Sequence, residues 1–174
     1  DPDEFSAYLE MYPNGTYAGL ARLRIKKLGG TASASTGGIP NLQYGDYHAL
    51  VIGNNKYDEL PDLRTAVSDA RAIANLLEVD YGFNVTKLEN ATRYETLIAI
   101  RDLRSEIGKD DNVLIYYAGH GYLDADSDQG YWLPSDVDDT RVNWILTSGI
   151  VSNIKAMQAK HVMIVADSCF SGTL

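Results

Sequence analysis

The chain is short of cysteine, of basic residues and of long apolar runs, and each shortage closes off a class of protein. One cysteine, Cys169, among 174 residues leaves no internal disulfide framework, so the fold must rest on a buried core. Lys and Arg total 15 against 24 Asp and Glu, for a net charge of −9. Nucleic acid needs clustered cations and is not an expected partner; the acidity reads most simply as solubility. No apolar stretch approaches the ~20 residues of a membrane span, and no secretory leader is visible. A cytoplasmic placement is therefore the expectation, and a chain that opens at Asp1 rather than Met reads as a fragment. Neither Gly-x-Ser-x-Gly nor Gly-x-x-x-x-Gly-Lys occurs, which disfavours an α/β hydrolase or a phosphate-binding loop. His48, His120 and His161 are scattered, and a lone cysteine supplies no ligand cluster, so neither a metal nor a required cofactor is expected.

What is present is ordinary globular composition, 45% hydrophobic and 22% charged, enough for a domain with its own core. Asp3–Tyr12 places Phe5, Tyr8, Leu9 and Tyr12 at helical spacing, and Pro13-Asn14-Gly15 ends it. Tyr17–Leu28 carries a second helical pattern through Leu20, Ala21 and Ile25. Residues 1–28 thus form a helix–turn–helix resembling one tetratricopeptide-like unit. A single unit cannot bury its own apolar face, so it should dock on the domain or on a missing neighbour. Gly29–Gly38 is a run of small residues, and 29–46 reads as linker.

From residue 47 onward, strand and helix patterns alternate. His48–Gly53, Asn84–Leu88, Val113–Ala118 and Val162–Ala166 read as short buried strands. Helices are expected from Thr65 to about Val79, from Arg93 to Ile107 and from Thr147 to Gln158. Thr92 and Glu95 have the spacing of a capping box at the start of the second. Leu123–Thr140 is acidic and reads mostly as loop. Near-continuous apolar strands with helical crossovers define a three-layer α/β/α fold around a mainly parallel sheet.

Right-handed crossovers put functional residues beyond the carboxyl ends of such strands. Two strand ends carry chemistry. Asn112–Tyr122 ends its apolar run at His120 between two glycines, and His161–Leu174 ends its run at Asp167-Ser168-Cys169. Cys169 follows His120 by 49 residues, close to the ~50 separating the pair in caspase-type peptidases. A cysteine attacks a carbonyl as its thiolate, and a nearby histidine supplies the base or ion-pair partner. The amides of Gly121 and Cys169 are candidates for an oxyanion hole.

Tyr47–Gly172 resembles the large-subunit region of the caspase-like cysteine peptidases (caspases, metacaspases and paracaspases). The likeness is carried by Ala49–Tyr57 (ALVIGNNKY), Ala66–Leu77 (AVSDARAIANLL), Tyr116–Gly121 (YYAGHG) and Asp167–Gly172 (DSCFSG). Caspases proper carry Gln-Ala-Cys at the nucleophile, so Asp167-Ser168-Cys169 is more similar to metacaspases and their bacterial relatives, although Phe170 replaces a common histidine. The resemblance implies a His120/Cys169 dyad with no obligatory third member, hydrolysis of peptide bonds through a thioester, and autoprocessing. It also implies an acidic specificity pocket at Asp69 and Asp167, suited to Arg or Lys before the cut. Asp167 has the alternative of buttressing the cysteine turn, and Arg64 nearby leaves aspartate specificity open. Some metacaspases are calcium-activated; Asp124, Asp126, Asp128 and Asp136–Asp139 offer carboxylates for that, or a solvated loop.

The family fold has six strands and this chain supplies four. Strand 162–166 would be an unpaired apolar edge, which soluble proteins avoid, so a small-subunit segment should pair there, separated by cleavage or by truncation. Protein or peptide substrates are the other expected partners. A silent scaffold that binds partners without cleaving them is the competing function.

Overall fold

The computed structural model describes residues 2–13, 15, 17–28 and 45–168. Most of the expected linker, and Cys169 with the residues after it, lie outside them. The elements run α1 (Pro2–Met11), α2 (Ala18–Lys27), β1 (Tyr47–Gly53), α3 (Ala66–Asn75), β2 (Asn84–Glu89), α4 (Arg93–Glu106), β3 (Asn112–Ala118), β4 (Gly121–Asp124), β5 (Gln129–Trp132), β6 (Ile145–Leu146), α5 (Thr147–Lys155) and β7 (His161–Asp167). A π-helical turn, Leu76–Asp80, continues α3.

β1, β2, β3 and β7 form one parallel sheet in the order β2-β1-β3-β7. Side chains alternate across its faces. Leu50, Ile52, Val113, Ile115 and Tyr117 pack under α4 and α5, with Ile100, Leu103, Ile150 and Ile154. Ala49, Val51, Tyr116 and Ala118 pack under α3, with Ala66, Ala70 and Ala74. The α3 face is built of alanines because the helix lies very close to β1. A Cβ on Gly53 would stand 2.6 Å from the Ala70 Cβ and 2.7 Å from the Ala66 carbonyl. Helices on both faces of a parallel sheet are what the alternating pattern implies. Among the described residues no helix is long and apolar enough to cross a membrane.

Leu123–Thr140 is mostly turn and loop, as its acidic composition implies, but it also holds strands the reading did not include: β4 and β5 pair as a hairpin, and β6 joins them in a three-stranded antiparallel sheet. Tyr122 stands opposite Tyr131, and Trp144 meets both rings edge-on, at 4.9 and 5.6 Å. The acidic residues of this stretch serve turns and ion pairs. Asp124 accepts from Arg141 at 3.1 Å, the Arg93 N–H donates to Asp136, and Thr140 donates to Asp138.

The capping box at α4 is present: the Thr92 hydroxyl accepts from the Glu95 N–H, and the Glu95 carboxylate accepts from the Thr92 N–H. The α1–α2 hairpin docks on the domain at the π turn. Lys27 donates to the Val79 and Glu78 carbonyls, and Arg24 to the Asp80 carbonyl and carboxylate. The end of a helix leaves carbonyls without partners and carries partial negative charge, so the basic last turn of α2 has a natural seat there.

Candidate active site

β3 and β7 run side by side in register, ending with Ala118 opposite Asp167, and the Gly119 N–H reaches the Asp167 carbonyl at 3.4 Å. His120 stands two residues past the last pair on β3. In sequence, Cys169 stands two residues past it on β7. Adjacent strands lie about 4.8 Å apart, so the carboxyl ends of β3 and β7 are neighbours at one edge of the sheet.

Tyrosines hold His120. The Tyr57 hydroxyl accepts from the His120 N–H at 2.8 Å and donates to the Asn54 carbonyl at 3.1 Å. The Tyr57 ring also packs on the imidazole, centroids 4.7 Å apart. The Tyr117 hydroxyl stands 2.8 Å from both the His120 and the Leu133 carbonyls, and its ring stacks on Trp132 at 4.4 Å. Gly119 is where these hydroxyls converge. A Cβ there would stand 2.6 Å from the Tyr117 oxygen and 2.8 Å from that of Tyr57. Burial pushes the Tyr57 hydroxyl up to about 12 and that of Tyr117 well above the ordinary tyrosine value, so both stay protonated.

The imidazole Nε2 lies 2.9 Å from the Pro61 carbonyl. A carbonyl can only accept, so this contact places the proton on Nε2 and leaves Nδ1 with the free lone pair. The Leu133 N–H donates to the His120 carbonyl, which makes Gly121 and Trp132 a non-hydrogen-bonded pair of the β4–β5 ladder. The Gly121 amide therefore points away from β5.

Asp69, Asp167 and His120 line one cavity of about 310 Å³, together with Arg64, Ala118 and Gly119. The sheet explains the meeting. Ala118, Tyr116 and Asp167 share the face that α3 covers, and Asp69 stands in the first turn of α3. Both carboxylates are exposed. The Tyr116 hydroxyl donates to Asp167 at 3.3 Å. Burial first, then the charge and hydrogen bond of Asp167 and the charge of Asp69, push Tyr116 up to about 12. It is a fixed donor to Asp167 across the working pH range.

The structure thus brings His120, Asp69 and Asp167 together and sets Gly121 directly beside His120; Cys169 lies outside the described residues. Sequence reasoning gave no role to Tyr57, Pro61, Tyr116 or Tyr117. Tyr57, Tyr116 and Tyr117 lie within the strings ALVIGNNKY and YYAGHG, but there they entered only as part of the resemblance.

Comparison with known proteins agrees with this architecture. The caspase domain family matches residues 46–174, and the chain belongs to that family, whose domain is of cysteine-peptidase type. A stretch of 77 residues is 39% identical to the human mucosa-associated lymphoid tissue lymphoma translocation protein 1, and equally to its mouse homologue. That stretch is 44% of this chain and only 9% of each relative. Among solved structures, protein GSU0716 from Geobacter sulfurreducens is similar with a TM-score of 0.61 and 26% identity, over 74% of this chain and 52% of that one.

Proposed function

We propose that the protein is a cysteine endopeptidase that cuts after Arg or Lys, with Cys169 as nucleophile and His120 as acid and base. The observation that carries this reading is the single cavity lined by His120, Asp69 and Asp167 at the carboxyl end of the parallel sheet. The thiol proton passes to Nδ1 of His120, and the thiolate adds to the scissile carbonyl carbon. The oxyanion is held by the Gly121 and Cys169 amides. Collapse breaks the C–N bond, His120 returns the proton to the departing amine, and a thioester remains. Water, deprotonated by His120, then displaces the thiolate and releases the acid. The Pro61 carbonyl supports this assignment by fixing the imidazole's tautomer.

Two carboxylates against the single guanidinium of Arg64 leave the cavity net acidic, which favours a cationic side chain before the cut. Arg should exceed Lys, because its planar fork can meet both carboxylates. The strand β7 supports a further partner. It is an edge of the sheet among the described residues, and Met163 and Ile164 are exposed on it, at 60% and 38%. A small-subunit segment pairing there would cover them and complete the substrate groove.

The test is a panel of fluorogenic peptides varied at the residue before the cut, run with the complete protein. Cleavage in the order Arg, Lys, then neutral residues is expected. A preference for Asp would overturn the pocket, and no cleavage of any peptide, with Cys169 unlabelled by a thiol-reactive peptide probe, would overturn the enzyme.

A further inference from the structure

At the opposite end of the sheet from His120, three metal-ligating side chains converge. Among the described residues, the donor atoms of Asp46, His48 and Asp111 all lie within 4.8 Å of one another. The parallel register produces this meeting. Tyr47 pairs with Asn112 and His48 with Val113, and the Asn112 N–H donates to the Asp46 carbonyl, so Asp111 falls opposite Asp46. Alternation then sets Asp46, His48 and Asp111 on one face. We propose that these three residues bind a first-row divalent cation, zinc by preference, as a staple joining the start of β1 to the start of β3.

The imidazole is what separates this set from an ordinary acidic cluster. His48 is largely buried, its side chain 13% exposed. Its Nε2 stands 3.8 Å from the Asp111 carboxylate, too far for a hydrogen bond. Two donors that share one zinc at bonds of about 2.0–2.1 Å and tetrahedral angles stand roughly 3.3 Å apart, so a small adjustment brings the pair to coordinating distance. Asp111 is pre-positioned for it. Its two oxygens accept from the Gly108 N–H at 2.7 Å and the Asp46 N–H at 2.8 Å, which fixes the carboxylate and leaves each oxygen a further lone pair. The exposed Asp46 closes the set, with water as fourth ligand. One imidazole and two carboxylates suit zinc and its neighbours better than calcium, which takes an all-oxygen shell. The net charge of −9 favours cation uptake. β1 has seven residues, about 20 Å at the usual rise, so the ion would act on stability and not on the peptidase site.

The experiment titrates zinc, and separately cobalt, into the Cys169→Ala protein, in which the active-site thiol cannot contribute. Calorimetry, the cobalt visible spectrum and the unfolding midpoint are the readouts. One ion per chain, a midpoint raised by zinc and restored by chelator, and binding weakened more than about tenfold in His48→Ala and Asp46→Asn are expected, since even outer-shell partners carry 10–100-fold. Asp46→Asn guards against a folding artefact, because that side chain is exposed. No ion bound, or binding equal in Asp46→Asn and its parent, overturns the proposal.

Discussion

Removing one oxygen tests how His120 is held. In Tyr57→Phe the ring contact with the imidazole survives, but the His120 N–H loses its acceptor at 2.8 Å and the Asn54 carbonyl its donor at 3.1 Å. Tyr57 is only 9% exposed, so water cannot freely replace the lost partner. An orphaned polar group costs about 1–3 kcal/mol, and the variant should be less stable by that amount. With a urea slope of about 1–3 kcal/mol per molar, the midpoint should fall by roughly 1 M without a change of slope. Alkaline pH gives a second arm. The folded hydroxyl is raised to about 12 from 10.0. Its stabilisation is complete below pH 10 and is lost as pH rises through 12, because only the unfolded chain ionises there. At about 1.4 kcal/mol per pH unit, the wild type's advantage over Tyr57→Phe should shrink by about 2–3 kcal/mol across that window. Equal midpoints at pH 7, or a difference unchanged between pH 10 and 12, would refute the reasoning. Turnover should also drop, by up to about a hundredfold, since small displacements of a catalytic group are that costly.

Cys169→Ala should abolish peptidase activity with an unchanged unfolding midpoint, and His120→Ala should lower kcat by about 10²–10⁴; turnover by either near wild type would remove the dyad. Asp69→Asn keeps size and loses charge, so transition-state binding of Arg substrates should weaken by about 1.5–3 kcal/mol, with neutral substrates unaffected. Equal loss on both would show a folding effect and not a pocket. Gly119→Ala should destabilise by about 1–3 kcal/mol, because its methyl would meet the Tyr117 and Tyr57 hydroxyls; a denaturation curve matching wild type would contradict that packing.

The large sheet was legible because parallel strands covered on both faces must be apolar almost throughout. Ala49–Ile52 are fully buried, and no loop reads that way. The small sheet was not. β4 and β5 have four residues each and β6 has two, too few for alternation to show among aspartates and glycines. Its signal lay in aromatics, Tyr122, Tyr131 and Trp144, whose rings meet only once the hairpin closes. The end of α3 shows another limit. The apolar pattern carried the helix to Val79, but side-chain spacing does not distinguish an α turn from the π turn at Leu76–Asp80.

The same division runs through the candidate site. His120, Asp69 and Asp167 could be found by type and place, since each is a reactive or charged side chain at a strand end or in the first turn of a helix. What orients His120 could not. The Pro61 carbonyl has no side-chain identity to read, and Tyr57 stands 63 residues from the amide it serves. A backbone acceptor becomes part of a site only through the loop that carries it. That loop is itself held by Asn54 and Asn90, whose side-chain oxygens accept from the amides of Ala91, Asn55 and Lys56. Sequence therefore named the candidate groups, and folding supplied the groups that aim them. A variant in the second set should leave the chemistry intact and degrade its geometry, which is why Tyr57→Phe, more than His120→Ala, separates a built site from a coincidence of residue types.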